Sequence, residues 1–281
     1  MTSPIAHFNG ELLPLDRGFI FGDGVYEVIP VYDGVPLHAR EHFERLQRSM
    51  DEIGLANPHT VDEWIALMMK LLAHHPGDQG VYIQVTRGVP PKRDHVIPKG
   101  LKPTVFMMSQ PLVTPSREQV ENGVACVTSP DFRWEKCHIK STSLLGNVLA
   151  RQVSVEAGAV ETILLRDGHV TEASASNVFV VKNGKVAASP RDNLILMGIT
   201  YDLLMQLAKD GALDLEMRRI SEAELRSADE IWLSSSTKEV LAVTRLDGRS
   251  VGSGKPGPVF KRMYALYQDY KKQLAASKVA A

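Results

Sequence analysis

Cys137-His138-Ile139-Lys140-Ser141-Thr142-Ser143-Leu144-Leu145-Gly146-Asn147 is the stretch around which the chain is organised. Lys140 stands between a β-prone lead, Phe132 to Ile139, and a helix-prone tail, Ser143 to Ala157. A lysine at a strand end is held on rigid backbone while its flexible stem reaches for a carbonyl carbon. Burial of an amine favours its neutral, nucleophilic form, which is the route to Schiff-base chemistry. A solvated lysine after an edge strand fits the same residues, so the rest of the chain has to decide.

Downstream, Thr171-Glu172-Ala173-Ser174-Ala175-Ser176-Asn177-Val178-Phe179 sets a carboxylate before small hydroxylated residues and an apolar strand. Small side chains let backbone approach a flat ligand, and the carboxylate can hold a proton on a ring nitrogen. A polar strand with a surface glutamate reads equally well. Leu196-Met197-Gly198-Ile199-Thr200 opens a helix. Gly198 permits close approach, Thr200 can cap, and free N–H groups at a helix start bind phosphate. An ordinary capped helix needs the same residues. Ser234-Ser235-Ser236-Thr237, after the strand Glu230 to Leu233, is a second hydroxyl-rich turn, phosphate-holding or simply polar. Arg45 sits beside the apolar stripe of an N-terminal helix, able to snorkel toward an anion or to lie as surface charge.

Five dipeptides punctuate the chain: Asn9-Gly10, Asp33-Gly34, Asp167-Gly168, Asn183-Gly184 and Asp247-Gly248. Each supplies two residues that accept positive φ and is flanked by β-formers, so antiparallel hairpins are expected in both halves. Spacings of three and four place helices over His38 to Gly54, with Phe43, Leu46, Met50 and Ile53, and over Thr60 to His74. Leu144 to Gly158, Ile199 to Gly211, Ser221 to Ala228 and Val259 to Ala276 read as further helices. Gly80 to Thr86 and Pro103 to Gln110 read as buried strands. Pro111 to Asn122 is polar and without period. The expectation is an α+β fold of two domains, 1–114 and 123–281, joined by a linker over 115–122.

The 281 residues suit two cores. Lys plus Arg (32) balances Asp plus Glu (33), so no global field favours nucleic acid or an anionic membrane. Cys126 and Cys137 form no disulfide framework and match no metal-ligand spacing, so no metal site is expected and both read as packing residues. No apolar run approaches the roughly 20 residues of a membrane helix. Met1-Thr2-Ser3-Pro4 lacks a basic region followed by an apolar run, so the cytoplasm is the expected location. The tail, Lys271 to Ala281, is expected to fray.

Together these stretches resemble the fold-type IV pyridoxal-phosphate enzymes, the class IV aminotransferase family. Arg17-Gly18-Phe19-Ile20-Phe21-Gly22-Asp23-Gly24-Val25-Tyr26-Glu27 and Glu41-His42-Phe43-Glu44-Arg45-Leu46 resemble its N-terminal signature. Ile139-Lys140-Ser141 with Leu144-Leu145-Gly146-Asn147 resembles its Schiff-base segment, and Glu172, Ser174, Asn177, Val178 and Phe179 its glutamate-to-asparagine signature. The resemblance implies that pyridoxal 5'-phosphate lies in the cleft between the domains, joined to Lys140, which also shuttles the Cα proton. It implies that Glu172 pairs with the ring nitrogen and that Leu196 packs on the ring face. Arg45, Ile199, Thr200, Ser235 and Ser236 would hold the phosphate, with Ser176, Asn177 and Gly198 also lining the cofactor. Tyr201 departs from the Arg or Lys usual after Gly198-Ile199-Thr200, and Ser189 stands where Thr is common.

Within that family, Arg87-Gly88-Val89-Pro90-Pro91-Lys92-Arg93-Asp94-His95 resembles the D-amino-acid transaminases. There an Arg-x-His pair, here Arg93 and His95, reaches across a homodimer interface and clamps the substrate α-carboxylate with a tyrosine, here Tyr26. The implied reaction is ping-pong transfer between a D-amino acid and a 2-oxo acid, in active sites shared between subunits. Solvated loop charges fit Lys92, Arg93 and Asp94 as well. The loop is one residue longer before Arg93, and Pro30 stands where lysine is common. Aminodeoxychorismate lyase and a branched-chain L-amino-acid aminotransferase are the alternatives on the same scaffold.

Overall fold

The strand Gly24–Tyr32 is the spine of the first half of the chain. Val25, Ile29 and Val31 on one of its faces meet Phe43, Leu46 and Met50 of the helix Ala39–Glu52 and Trp64 and Met68 of the helix Val61–Leu72. Phe43 and Trp64 stack at 5.9 Å between ring centroids. Burying each such side chain stabilises by about 1.5–3 kcal/mol, which is why the period of three and four was legible. A capping box between Thr60 and Glu63 starts the second helix.

This computed structural model describes residues 5–8, 11–74 and 76–277. The Asn9-Gly10 turn, the Met1-Thr2-Ser3-Pro4 segment and the tail beyond residue 277 lie outside the described residues. The chain divides into two units: Met1–Pro111 with Ile139–Leu144, and Leu112–His138 with Leu145–Ala281. In the first unit an antiparallel sheet runs in the order Val35–Pro36, Gly24–Tyr32, Gln79–Thr86, Thr104–Pro111. Thr104–Pro111, expected as a buried strand, is instead the sheet edge. Among the described residues Gln79–Thr86 alone pairs with it; Val105 and Met107 pack against the core, while Phe106 and Met108 on the other face stay exposed. Pro30 costs the ladder nothing: its carbonyl accepts from Leu37 N at 2.9 Å, on the side away from Gln79–Thr86.

In the second unit one mixed sheet follows the order Leu215–Met217, Lys185–Ala188, Asn177–Lys182, Glu230–Ser235, Glu239–Leu246, Val124–Pro130, Glu161–Arg166, His169–Ala173. Val124–Pro130 pairs in parallel with both of its neighbours. A parallel partner requires a crossover, and the helix Leu145–Glu156 lies within the one to Glu161–Arg166. Asn177–Lys182 is buried on both faces. Val178 and Val180 enter a core with Ile231, Leu233, Leu241 and Val243, while Phe179 lies 5.2 Å from the Tyr201 ring.

Four expected hairpin turns are present. Asp33, Asp167, Asn183 and Asp247 take φ of 48–51°, followed by Gly34, Gly168, Gly184 and Gly248 at 72–79°. Two short helices were not legible in the sequence. Arg17–Phe21 is capped by Asp16 and closed by Gly22 at φ 63°. Arg117–Asn122 falls inside the stretch expected as linker; it starts with a capping box and buries no residue, so it leaves no apolar period. No helix among the described residues is long and apolar enough to cross a membrane.

Candidate active site

Lys140 does not follow a strand of its own, as its β-prone lead suggested: residues 132–139 form turns and bends. Its segment is instead bonded onto the start of the strand Gly24–Tyr32. Ser141 bridges Val25, Tyr26 N donates to Lys140 O at 2.9 Å, and Thr142 N donates to Gly24 O at 3.0 Å. Lys140 N donates to the buried Ser49 Oγ at 3.2 Å. The lysine is therefore rigid at its backbone by borrowed pairing. Its half-buried side chain ends with Nζ 4.2 Å from the centre of the Tyr26 ring.

Arg45, with Glu27 and His42, forms a polar cluster within the same unit. Arg45 donates from Nε and Nη2 to the two Glu27 oxygens at 2.7 and 2.8 Å. His42 Nδ1 lies 2.7 Å from Glu27 Oε2, and all three side chains are buried. Burial opposes the charge on Glu27, but Arg45 and His42 outweigh it and hold the carboxyl far below its usual range. Burial also pulls His42 down, so the imidazole is neutral near pH 7 and Arg45 is the counter-charge. Nδ1–H then donates to the carboxylate. A carboxylate held in this way keeps the guanidinium fork in one orientation.

In the second unit Glu172 sits on His169–Ala173, buried. Oε1 accepts from Arg133 Nη1 at 2.5 Å, and Oε2 accepts from Leu196 N at 3.0 Å and Asn177 Nδ2 at 3.4 Å. Burial pushes its carboxyl up to about 7, against the pull of Arg133. Asn177 Nδ2 also donates to Leu196 O at 2.9 Å, and a Cβ added to Gly198 would collide with Asn177 Oδ1. Glu172, Asn177, Leu196 and Gly198 thus form one cluster. Close approach is the reason for glycine at its end.

Gly198 is the N-cap of the helix Ile199–Asp210, and no side chain caps it. The N–H groups of its first turn, at Ile199 and Thr200, therefore have no intrahelical acceptor. Ser235 Oγ accepts from Lys238 N at 3.1 Å, Ser236 is half-buried, and the buried Ser234 hydroxyl has no partner among the described residues. Uncapped amides with unclaimed hydroxyls suit a phosphate, and a buried acid suits a ring nitrogen, so these residues fit pyridoxal phosphate.

Ser176, expected to line the cofactor, is buried. Its hydroxyl donates to Glu161 Oε2 at 3.1 Å, and Ser174 Oγ donates to Oε1 of the same carboxylate. Lys238 Nζ meets Glu161 at 2.9 Å and, against the opposing effect of burial, keeps its carboxyl low. Tyr201, one of the departures, is buried, and its OH donates to Ser189 O at 3.0 Å. Burial pushes that phenol up to about 12. Its ring packs on Phe179 at 5.2 Å between centroids. Arg93 and His95 are exposed on their loop. The Phe21 ring lies 5.3 Å from Arg93 Cζ and 5.0 Å from the His95 ring. Glu27, His42, Arg133, Glu161 and Lys238 were missed from sequence. A local signal for Arg133 was Asp131, two residues earlier, whose Oδ1 accepts from Arg133 Nε at 2.9 Å.

The family described as amino-transferase class IV matches residues 24–246. A D-alanine aminotransferase of Bacillus licheniformis is 41% identical over 271 residues, 93% of this chain and 95% of the relative. One from Staphylococcus aureus is 41% identical over 257 residues, 91% of this chain and 90% of the relative. Among solved structures, the Escherichia coli branched-chain amino acid aminotransferase superposes with TM-score 0.84 at 25% identity, over 94% of this chain and 93% of that one. The fold IV transaminase of Curtobacterium pusillum gives 0.78 at 26%, over 96% of this chain and 92% of that one. The chain belongs to the class IV aminotransferases, enzymes that depend on pyridoxal phosphate.

Proposed function

We propose that this aminotransferase moves the amino group of a D-amino acid to a 2-oxo acid in two half-reactions, the first leaving the Lys140 amine free and the second restoring the starting state. The observation that carries the reading is the pairing of Arg93 and His95 on the Phe21 ring, two exposed donors suited to one carboxylate. The D-alanine aminotransferases at about 40% identity support the choice of enantiomer. Pyridoxal phosphate, when bound, supplies an electron-poor ring that takes up negative charge from the substrate Cα. Lys140 would carry the proton from the substrate Cα to the cofactor C4′ in the first half-reaction and the opposite way in the second. Glu172, whose rise on burial Arg133 limits, would hold a proton on the ring nitrogen. The resemblance gives phosphate binding to Arg45, the amides of Ile199 and Thr200, and the Ser235 and Ser236 hydroxyls, which would hold it. Leu196 would lie on the ring face, and Arg93, His95 and Tyr26 would fix the α-carboxylate.

The test is the absorbance of the purified holoenzyme with D-alanine and, separately, L-alanine. D-alanine should bleach the cofactor band and L-alanine should not; bleaching by L-leucine alone would assign a branched-chain enzyme. Release of pyruvate from aminodeoxychorismate without a 2-oxo acid would assign a lyase. Double-reciprocal rate plots should be parallel.

The same reading makes the enzyme a cytoplasmic homodimer. Leu145, Val148, Leu149 and Val155 are exposed along the helix Leu145–Glu156, with Phe132 and Trp134 exposed in the same unit. An apolar set of this kind suits a second copy. Sedimentation of Leu149→Asp should give monomer where the unchanged chain gives dimer.

A further inference from the structure

Arg17 opens the helix Arg17–Phe21 and is only 3% exposed. Nε donates to Asp23 Oδ2 at 2.6 Å, an oxygen that also accepts from Arg87 Nε at 2.8 Å. Arg87 in turn donates to Gly54 O at 2.9 Å and Ile53 O at 2.7 Å, which anchors the group to the core. The outward nitrogens of Arg17 address three consecutive carbonyls. Nη1 donates to Asp94 O at 2.6 Å and Val96 O at 3.4 Å, and Nη2 to His95 O at 3.4 Å. The Arg17 guanidinium also lies 4.8 Å from the centre of the Phe21 ring, the ring on which Arg93 and His95 converge.

The loop so held is otherwise exposed from Pro91 to Ile97, apart from half-buried Asp94, and belongs to no strand or helix. Its neck is closed by Arg17 N donating to Gly88 O at 3.0 Å and Thr104 Oγ1 donating to Asp16 Oδ2 at 2.7 Å. Ordering such a loop costs backbone entropy at every residue. Hydrogen bonds from a charged donor offset that cost more than neutral ones do. A lysine cannot replace this fork, because one ammonium on a flexible stem does not span three carbonyls.

We propose that Arg17 and Phe21 are positioning residues that hold Arg93 and His95 at the spacing that receives a substrate α-carboxylate. Arg17 sets the backbone of residues 94–96, and Phe21 is the ring against which both side chains rest. The proposal rests on the reading of Arg93 and His95 as the carboxylate clamp.

The experiment compares holoenzymes carrying Phe21→Leu, Phe21→Tyr, Arg17→Lys and Arg93→Ala. Readouts are KM and kcat for D-alanine, the KI of propionate as a carboxylate without an amine, the rate with D-alaninamide, and cofactor occupancy. Phe21→Leu and Arg17→Lys should raise KM and the propionate KI about tenfold while kcat, the D-alaninamide rate and occupancy stay within twofold. Phe21→Tyr should restore both constants. If Arg93→Ala raises the propionate KI but Phe21→Leu does not, the positioning role is wrong and the clamp stands. Equal losses for D-alanine and D-alaninamide in Phe21→Leu, or lost occupancy, would also overturn the role. An Arg93→Ala enzyme with unchanged KM and KI would overturn clamp and positioning together.

Discussion

Arg133 and Glu172 form a buried ion pair, Nη1 to Oε1 at 2.5 Å, while Nε and Nη2 of the same guanidinium hold Asp131, each at 2.9 Å. Burial raises the Glu172 carboxyl to about 7, and Arg133 is the charge that limits the rise. Removing Arg133 lifts the carboxyl further, so the anion forms only at higher pH. Arg133→Met should move the acid limb of the pH–rate profile upward and cut kcat/KM at pH 7 at least tenfold. It should also destabilise by about 3–5 kcal/mol, since Asp131 and Glu172 lose a buried partner. Arg133→Lys keeps the charge and should shift the limb less. An unmoved acid limb in both variants refutes the coupling.

Glu27 gives the opposite sign. Its folded carboxyl lies below the usual value of 4.5, so its stabilisation is complete above that pH and fades as pH falls through the folded value. Glu27→Gln should cost about 3–5 kcal/mol near neutrality, because Arg45 loses its carboxylate. It should also flatten the decline of the urea midpoint below pH 4.5. A parallel decline in both proteins would assign acid sensitivity elsewhere.

Gly24 lies where the Lys140 segment docks. A Cβ there would sit 2.8 Å from Val85 O and 3.1 Å from Thr86 Cα, both backbone atoms that cannot rotate away. Gly24→Ala should destabilise by about 1–3 kcal/mol, as overpacking does. Because Gly24 O accepts from Thr142 N, the displacement also reaches Lys140. Activity at a temperature where the variant remains folded should fall more than tenfold. Full activity would show that the docking of this segment tolerates a shift.

Tyr201 tests the departure after Gly198-Ile199-Thr200. Tyr201→Phe leaves Ser189 O without its donor and should cost about 0.5–1.5 kcal/mol in thermal unfolding, with KM and cofactor affinity unchanged. A loss of cofactor affinity would give this position a part in phosphate binding.

Much of the site could be read from sequence because its parts are local. Lys140, Glu172, Gly198-Ile199-Thr200 and Ser235-Ser236 each carry their signal within a few residues. Their supports do not. Arg133 is 39 residues from Glu172 and Arg45 is 18 from Glu27, and nothing local pairs them. The missed helix Arg117–Asn122 buries no side chain and so has no period to read. The lead before Lys140 misled because β-prone residues formed turns.

Turn chemistry and hydrophobic period by themselves determined the hairpins, the long helices and the mixed sheet-and-helix class, since φ preference and amphipathic spacing are properties of short stretches. Which arginine neutralises which buried acid, and which strand lends its edge to Lys140, was decided only by the tertiary structure. Burial makes an unpaired charge or amide costly, and the partner that removes the cost is whichever group the packing brings within about 3 Å.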